Sequence, residues 1–268
     1  MTPFRRLARD LRRELSPTPE QAVLRELERR AHREPRRTAG SIAIAPYDFA
    51  YVDAMTTWPQ WDEIFIHDVL AFEPSRPRPR ILDCGANVGI ASMYFARSMP
   101  DASITAFEAD PHIAGTCARN MKPHGVEVVA AAVWTSTGTT QFVCEGSDAG
   151  AVASLNITDG PVAAVPCVRL RDYLCEPIDL LKLDIEGAEL QVLEDCGDAL
   201  GCVRALTLDL HEFDPRRRQT SRVFDLLETA GFQFELHSVA PVGQRAGAIP
   251  SPFRDASSAW ASTVRAWR

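Results

Sequence analysis

The sequence predicts an α/β fold built on a mostly parallel, seven-stranded sheet with helices on both faces. From residue 80 onward, short apolar runs alternate with helical patterns, and a glycine-rich turn joins the first run to the first helical pattern. Such alternation is typical of βαβ units, whose parallel strands are buried. A small helical extension at the N-terminus and an inserted β-hairpin region complete the predicted fold.

The apolar runs predict five strands, and the patterns between them predict four helices. The strands are expected at residues 80–83, 103–108, 126–133, 178–184 and 203–210, and the helices at residues 88–98, 111–121, 187–195 and 217–230. Gly and Asp turns within residues 139–169 indicate the inserted β-hairpin region. Two further strands are expected at residues 232–237 and 260–268, one of them a late antiparallel edge strand.

Two domains are expected: a helical N-terminal extension over residues 1–73 and the main domain over residues 74–268. Residues 4–34 predict two short helices, because Pro17 and Pro19 interrupt the helix-forming composition. Residues 61–72 suit an amphipathic helix, and the proline-rich residues 74–79 suit a stiff linker. The extension can serve as a lid over the main domain or as the arm of a homodimer.

Charge is distributed unevenly along the chain. The formal net charge is −7, but residues 1–37 hold eleven arginines and six acidic residues (+5), so the remainder carries −12. An acidic body repels phosphates, so a nucleic-acid partner is not favoured. The basic segment is better explained as a solvated amphipathic helix than as a nucleic-acid or membrane arm.

The apolar runs and the cysteines indicate the compartment. No run approaches the roughly 18 apolar residues of a membrane span, and no signal-peptide core follows the N-terminal arginines. The seven cysteines are odd in number and include no CxxC pair, which predicts reduced thiols rather than disulfides or a zinc site. The sequence therefore predicts a cytoplasmic protein without a membrane partner.

The first predicted strand ends in Asp83, and two glycines four residues apart, Gly85 and Gly89, then open a helix. The second strand ends in Glu108, which suits the hydroxyls of an adenosine ribose. Neither a G-x-G-x-x-G turn nor a Walker lysine is present. Because Asp83 would repel a pyrophosphate and attract a cation, the pattern favours S-adenosylmethionine over a dinucleotide.

Two later strands carry further polar residues at the same predicted sheet edge. Lys182 and Asp184 alternate with leucines at the end of one strand, and Asp209 and His211 do so on the next. Parallel neighbours share their carboxyl ends, so these side chains should meet near the cofactor. Asp184, Glu186, Asp209 and His211 could also hold a divalent metal, but the charge of Lys182 would compete with one.

At this point the sequence resembles the FkbM-type methyltransferases, a Rossmann-like class that uses S-adenosylmethionine. The resemblance rests on Leu82-Asp-Cys-Gly-Ala-Asn-Val-Gly89, Ala106-Phe-Glu-Ala-Asp-Pro111, Asn120, Ile178-Asp-Leu-Leu-Lys-Leu-Asp-Ile-Glu-Gly-Ala-Glu189 and Leu208-Asp-Leu-His211. It implies that Glu108 binds the ribose, that Asp184 lies near the transferred methyl group, and that the methionine part is held by Asp83, Gly85, Asn87 and Gly89. Ala132 is also assigned to the cofactor site. Asp209 stands where the family often has glutamate.

The expected activity is O-methylation of a hydroxyl on a sugar or secondary metabolite, the acceptor class that the resemblance implies. His211 would act as general base, because an imidazole suits that role near neutral pH. Lys182 and Asp184 would orient the acceptor. Its pocket is assigned to Asp209 and to the aromatic side chains Tyr51, Trp58 and Trp61, although packing over the sheet explains the aromatics equally well.

Three other functions stay open at this stage. An RNA methyltransferase could use the arginine-rich N-terminus, but the sequence has no Asn/Asp-Pro-Pro-Tyr/Phe motif. A nicotinamide-dependent dehydrogenase would share the fold, but it would need the third glycine. An interaction protein that had lost its activity would have little reason to keep the full set of acidic residues.

Overall fold

The computed structural model describes residues 17–155, 160–213, 219–241 and 260–268. The chain divides into two units, Met1–Val69 and Leu70–Arg268. Among the described residues, no helix has the length and apolar character that crossing a membrane requires.

From residue 17 onward, the first unit contains two α-helices and a two-stranded sheet: α1 (Pro19–Ala31), β1 (Gly40–Ile44), β2 (Tyr47–Tyr51) and α2 (Ala54–Trp61). Thr18 begins α1 with a capping box, in which its side chain accepts from the backbone N–H of Gln21 and the Gln21 side chain accepts in return. The buried residues Val23, Leu27 and Ala31 follow helical spacing and carry the apolar face of α1. The more N-terminal of the two predicted helices lies outside the described residues.

The prediction of an amphipathic helix over residues 61–72 is wrong. The helix instead occupies Ala54–Trp61 and ends in a π-helical turn over Asp62–Ile66. Asp53 determines where it begins, because its carboxylate accepts from the backbone N–H of Met55 at 2.9 Å. The antiparallel pair of β1 and β2, which places Ile42 opposite Phe49, was not predicted either.

The described part of the second unit contains eleven strands and four α-helices. The strands are β3 (Arg80–Cys84), β4 (Ser103–Glu108), β5 (Glu127–Ala130), β6 (Ala132–Trp134), β7 (Gly138–Val143), β8 (Ala151–Val152), β9 (Val162–Arg169), β10 (Ile178–Leu183), β11 (Val203–Glu212), β12 (Gln233–Pro241) and β13 (Trp260–Trp267). The helices are α3 (Ile90–Ser98), α4 (Pro111–Met121), α5 (Glu189–Cys196) and α6 (Thr220–Thr229). This mixed α/β architecture confirms the predicted fold class.

Seven of these strands form the central sheet, in the order β12-β13-β11-β10-β3-β4-β5. β3, β4, β5, β10 and β11 are parallel, whereas β13 is antiparallel to β11 and to β12. The prediction of a late antiparallel strand is confirmed by β13, but its predicted place at the edge is wrong. β13 lies inside the sheet, and β12 forms the edge. A large cluster of buried apolar residues packs around β10 and β11.

The predicted strand over residues 126–133 is two strands that belong to different sheets. β5 ends at Ala130, the backbone N–H of Ala131 donates to the carbonyl of Val129 at 2.9 Å, and β6 then joins a second sheet of order β6-β9-β7-β8. Within this second sheet β7 and β9 pair antiparallel from Gly138 opposite Cys167 onward. The inserted β-hairpin is therefore present, and it belongs to a four-stranded sheet.

The predicted linker over residues 74–79 is anchored to the start of β10 by the buried carboxylate of Asp179. This carboxylate accepts from the backbone N–H and hydroxyl of Ser75, from the guanidinium of Arg76 at 2.6 Å, and from the backbone N–H of Arg80. The seven cysteines all lie among the described residues, and none forms a disulfide.

Candidate active site

The candidate active site lies where β3, β4, β10 and β11 end at one edge of the central sheet. The strand register brings the polar residues together, because Lys182 on β10 lies beside Asp83 on β3 and Thr207 on β11. In open α/β sheets, this carboxyl edge is where ligands bind. The structure thus assembles most of the site residues that the sequence predicts.

Close packing against β10 explains the first glycine of the turn after β3. Gly85 has φ +81°, and a Cβ there would lie 1.7 Å from the carbonyl oxygen of Asp184. The backbone N–H groups of Gly85 and Ala86 both donate to the carbonyl of Phe107 on β4. Gly89 (φ +95°) is the residue from which α3 starts. The two glycines therefore hold the turn against its neighbouring strands and so shape the pocket.

Asn87 lies at the tip of this turn in the left-handed region, with φ +49°. Such a conformation strains a residue other than glycine and is often found at functional sites. The backbone N–H of Asn87 donates to Glu108 at 2.9 Å, and its side-chain amide donates to the carbonyl of Ser147 at 3.1 Å. Asn87 therefore links the turn to the acid of β4 and to the loop that follows β7.

Glu108 has the surroundings that a ribose-binding acid requires. One carboxylate oxygen accepts from the backbone N–H of Asn87 and the other from that of Asp110, each at 2.9 Å. A carboxylate offers about four acceptor positions, so these bonds do not use all of them. Burial raises the pKa of Glu108 to about 7, although backbone hydrogen bonds from Asp110, Asn87 and Ala109 oppose that rise.

Lys182 lies between two carboxylates and is almost completely buried. Its Nζ atom lies 3.3 Å from Asp83 Oδ1 and 3.4 Å from Asp184 Oδ2, and it donates to the carbonyl of Gly85 at 3.1 Å. Burial alone would lower the pKa of Lys182, but the nearby carboxylates outweigh burial and raise it. Lys182 is therefore charged, and it ties the glycine turn to the end of β10.

Asp83 has no exposed surface, and its other oxygen accepts from the hydroxyl of Ser92 at 2.6 Å. A direct contact between Asp83 and a cofactor ammonium group, which the sequence suggests, is not available in this arrangement. Asp83 instead supplies the charge that keeps Lys182 in place beneath the turn.

His211 on β11 is buried and lies between Glu186, in the loop after β10, and Glu189, the first residue of α5. Its Nδ1 atom is 3.2 Å from Glu189 Oε1, and its Nε2 atom is 3.6 Å from Glu186 Oε2. Burial by itself would lower the pKa of His211, but Glu186, Glu189 and Asp184 raise it well above the ordinary value. Burial also raises the pKa of Glu186, to about 8.

Asp209, two residues before His211, points to the same edge. Its Oδ1 atom accepts from the hydroxyl of Thr263 on β13 at 2.6 Å. Burial raises the pKa of Asp209, and the negative charge of Asp184 adds to the rise. Together with Asp83, Asp184, Glu186 and Glu189, it makes a site in which carboxyl groups outnumber the two basic side chains.

One set of side chains in the described part of the chain could hold a metal ion. Ligand atoms of Asp184, Glu186 and His211 lie within 4.8 Å of one another. Lys182 already lies 3.4 Å from Asp184, so its charge opposes a divalent cation at the same place. The proposed chemistry therefore assigns no role to a metal ion.

The aromatic residues predicted to form the acceptor pocket belong to the first unit. Tyr51 and Trp61 are almost fully buried there, and their polar atoms are engaged: the Tyr51 hydroxyl donates to Glu34, and the Trp61 indole donates to the carbonyl of Glu20. Packing therefore explains both. Trp58 is half-buried, with its ring 5.3 Å from that of His32.

Ala132 is buried in the core of the second sheet, with Val165 and Cys167 among its neighbours. Its side chain has almost no free surface for the cofactor that the sequence assigns to it.

Sequence reasoning missed several residues that shape the site. Glu189 has no role in the prediction beyond its place in the family motif, although its carboxylate contacts His211. Asn120 belongs to the family motif, and its amide donates to the carbonyl of Val88 in the glycine turn at 2.8 Å. No local signal marks Ser147 or Thr263, because each reaches the site through tertiary contacts.

The comparisons with known proteins agree with this geometry. Residues 83–234, more than half of the chain, match the family model described as the methyltransferase FkbM domain. The chain is 28% identical over 165 residues to Methyltransferase 1 of Beauveria bassiana (strain ARSEF 2860), a match that covers 51% of this chain and 66% of that protein. It is 29% identical over 150 residues to the 2-O-methyltransferase NoeI of Sinorhizobium fredii (strain NBRC 101917 / NGR234), covering 48% of this chain and 61% of that protein.

Among solved structures, the chain is similar to the methyltransferase FkbM of Methylobacillus flagellatus KT, with a TM-score of 0.49 and 14% identity over 80% of this chain and 52% of that one. The match to the two curated relatives spans just under two thirds of their length. The family model covers the glycine turn, Glu108, the β10 motif and His211, and on that evidence this chain belongs to the FkbM methyltransferase family.

Proposed function

We propose that this chain is an S-adenosylmethionine-dependent O-methyltransferase that acts on a hydroxyl of a sugar or secondary-metabolite small molecule. The printed name of one relative, a 2-O-methyltransferase, supports transfer to oxygen. The sugar or secondary-metabolite class rests on the family resemblance. The observation that carries the proposal is a buried imidazole, His211, placed between two glutamates at the sheet edge that also holds the cofactor turn.

Charge favours a cationic cofactor at this edge. Five carboxyl groups, those of Asp83, Asp184, Glu186, Glu189 and Asp209, stand near only two basic side chains, Lys182 and His211. A phosphate group would be repelled here, whereas a sulfonium and an ammonium group would be attracted. Bound S-adenosylmethionine would supply an activated methyl group, with Glu108 and the glycine turn holding its adenosine.

His211 would act as the general base in its neutral form, which its raised pKa places at a higher pH than for an ordinary imidazole. As the acceptor oxygen becomes methylated, Nε2 of His211 would accept the proton of that hydroxyl. The carboxylates of Glu186 and Glu189 stabilise the imidazolium ion that results. Asp184 and Asp209 would position the acceptor, while Lys182 keeps Asp184 in place. Alignment within a buried edge supplies most of the remaining acceleration.

The two alternatives, a dehydrogenase and an RNA methyltransferase, have less support. A nicotinamide-dependent dehydrogenase activity does not agree with membership of a methyltransferase family. For RNA methylation, the carboxyl-rich edge would oppose a phosphate backbone, and no feature of the described residues favours it.

Replacing His211 tests the proposal. His211→Ala should lower turnover at least about 100-fold, since positioned bases contribute roughly 10²- to 10⁴-fold. Its affinity for S-adenosylmethionine, measured by calorimetry, should stay near that of the wild type. His67→Ala is the matched control, because the side chain of His67 is 64% exposed in the first unit. Full turnover by His211→Ala would rule out the assigned base.

A further inference from the structure

Glu189 holds His211 in a way that its position at a helix start does not explain. It is the first residue of α5, where an acidic side chain complements the helix dipole. A solvent-exposed carboxylate would serve that purpose, yet Glu189 is fully buried. Burying a carboxylate costs free energy unless it is hydrogen-bonded and paired, so its partners indicate what it does.

Three groups converge on one oxygen of Glu189. Oε1 accepts from the backbone N–H of Ile185 at 3.2 Å and of Gly187 at 3.0 Å, and it lies 3.2 Å from Nδ1 of His211. The loop reaches this shape through two successive left-handed residues, Glu186 (φ +52°) and Gly187 (φ +94°). The strained loop therefore fixes Oε1 at one point opposite the imidazole.

We propose that Glu189 is a positioning residue that keeps the proton of neutral His211 on Nδ1, so that Nε2 faces the acceptor hydroxyl as a free base. The inference deepens the proposed function and rests on it. An ionised carboxylate can only accept hydrogen bonds, so the ring nitrogen beside it must be the donor. A neutral imidazole carries one N–H, which leaves the lone pair on Nε2.

The two glutamates beside His211 differ in a way that agrees with these roles. The side chain of Glu189 is 0% exposed and lies on the Nδ1 side, whereas that of Glu186 is 20% exposed and lies 3.6 Å from Nε2. The Nε2 side is therefore the one that an acceptor can reach. The ring of Phe213, 5.3 Å from that of His211 and nearly parallel to it, covers one face of the imidazole.

Glu189→Gln is the decisive variant, because it keeps the shape and an acceptor oxygen but removes the charge. We expect kcat to fall about 10- to 100-fold, with the affinity for S-adenosylmethionine unchanged. Glu189, Glu186 and Asp184 all raise the pKa of His211, and Asp209 and Lys182 also lie nearby. Losing one of these charges should move the acidic limb of the kcat profile to lower pH. If Glu189 only held the loop and His211 were not the base, the limb would stay where it is.

Glu194→Gln is the matched control, since Glu194 lies on the same helix and pairs with Arg222 instead. A Glu189→Gln enzyme with wild-type kcat and an unshifted limb would overturn the proposal. If that variant fails to fold, ¹⁵N NMR of the wild-type enzyme above the limb decides: an N–H on Nδ1 of His211 supports the proposal, and an N–H on Nε2 overturns it. Should His211→Ala stay active while the Nδ1 proton is found, the base assignment fails but the positioning stands.

Discussion

At the scale of single residues, the proposed ribose ligand Glu108 would make cofactor binding depend on pH. Its carboxyl group is buried at the end of β4, and burial raises its pKa to about 7 despite backbone hydrogen bonds. Ribose hydroxyls donate best to the ionised form. The fraction of ionised Glu108 therefore changes most over the pH range in which the enzyme would be assayed.

We expect S-adenosylmethionine to bind roughly tenfold more tightly at pH 8 than at pH 6, because Glu108 ionises between these values. Titration calorimetry at both values tests this, and Glu108→Gln should remove the difference. Glu127→Gln, on the exposed start of β5, is the control for any titration of the cofactor itself. A pH dependence that persists in Glu108→Gln would contradict the assignment.

The same raised pKa has the opposite effect on stability. The folded state holds the Glu108 proton more tightly than the unfolded chain does, so its contribution is fully present below pH 4.5 and is lost as pH rises through about 7. The ionised form of Glu108, which would bind the ribose hydroxyls, is therefore the form that contributes less to the stability of the fold.

Residue patterns also show how far sequence reasoning reaches. The alternation of Lys182 and Asp184 with leucines predicts that both side chains lie on one face of a buried strand. In the structure Lys182 Nζ lies 3.4 Å from Asp184 Oδ2. The pattern cannot reveal that Asp83 lies 3.3 Å from Lys182 on a neighbouring strand. That contact depends on the register between two strands almost 100 residues apart in the chain.

At the scale of elements, a glycine in the turn after β3 and a glycine in helix α4 differ in whether a side chain could replace the hydrogen atom. Gly85 has a positive φ and no room for a Cβ, whereas Gly115, exposed on α4, has no atom within 4 Å of where a Cβ would be. The same substitution should therefore have opposite effects at the two positions.

Gly85→Ala should destabilise the protein by at least about 3 kcal/mol, because the left-handed backbone and the Asp184 carbonyl both oppose a side chain. Gly115→Ala should stabilise it by about 0.5–1 kcal/mol, since alanine favours a helix interior. Urea unfolding of both variants measures the difference. Equal free energies of unfolding for the two variants would show that the close approach at Gly85 is not real.

Local signals determined which elements could be predicted. The strand at residues 103–108 and the helix at residues 111–121 were predicted at their observed bounds, because Asp110 caps the helix and Pro111 begins it. The run from residue 126 to residue 133 contains no polar or glycine residue where the chain changes sheets. Nothing local therefore distinguishes β5 from β6.

At the scale of the whole molecule, the C-terminal strand closes the central sheet. β13 forms antiparallel ladders with β11 on one side and β12 on the other. Arg268, just after it, donates to backbone carbonyls of Leu200, Val203 and Ala230. β13 thus joins β12 to the rest of the central sheet.

Removing residues 260–268 should prevent cooperative folding, because β12 would lose its neighbour β13, β11 would keep only β10, and the apolar contacts of Val264 would be lost. Soluble expression and thermal unfolding monitored by circular dichroism test this. Arg265→Ala changes the same strand but keeps its backbone hydrogen bonds, so it should unfold close to the wild-type temperature. A truncated chain with a normal transition would contradict the role of β13.

The sequence by itself determined the fold class, the cofactor turn and the set of residues that carry the proposed chemistry. These depend on periodicity and on the rule that parallel strands present their carboxyl ends at one edge. Only the tertiary structure decided the partners within that set: Asp83 beneath Lys182, Glu189 against His211, and Tyr51 and Trp61 in the core of the first unit. Strand register and burial are properties of packing between distant segments, and a local pattern does not contain them.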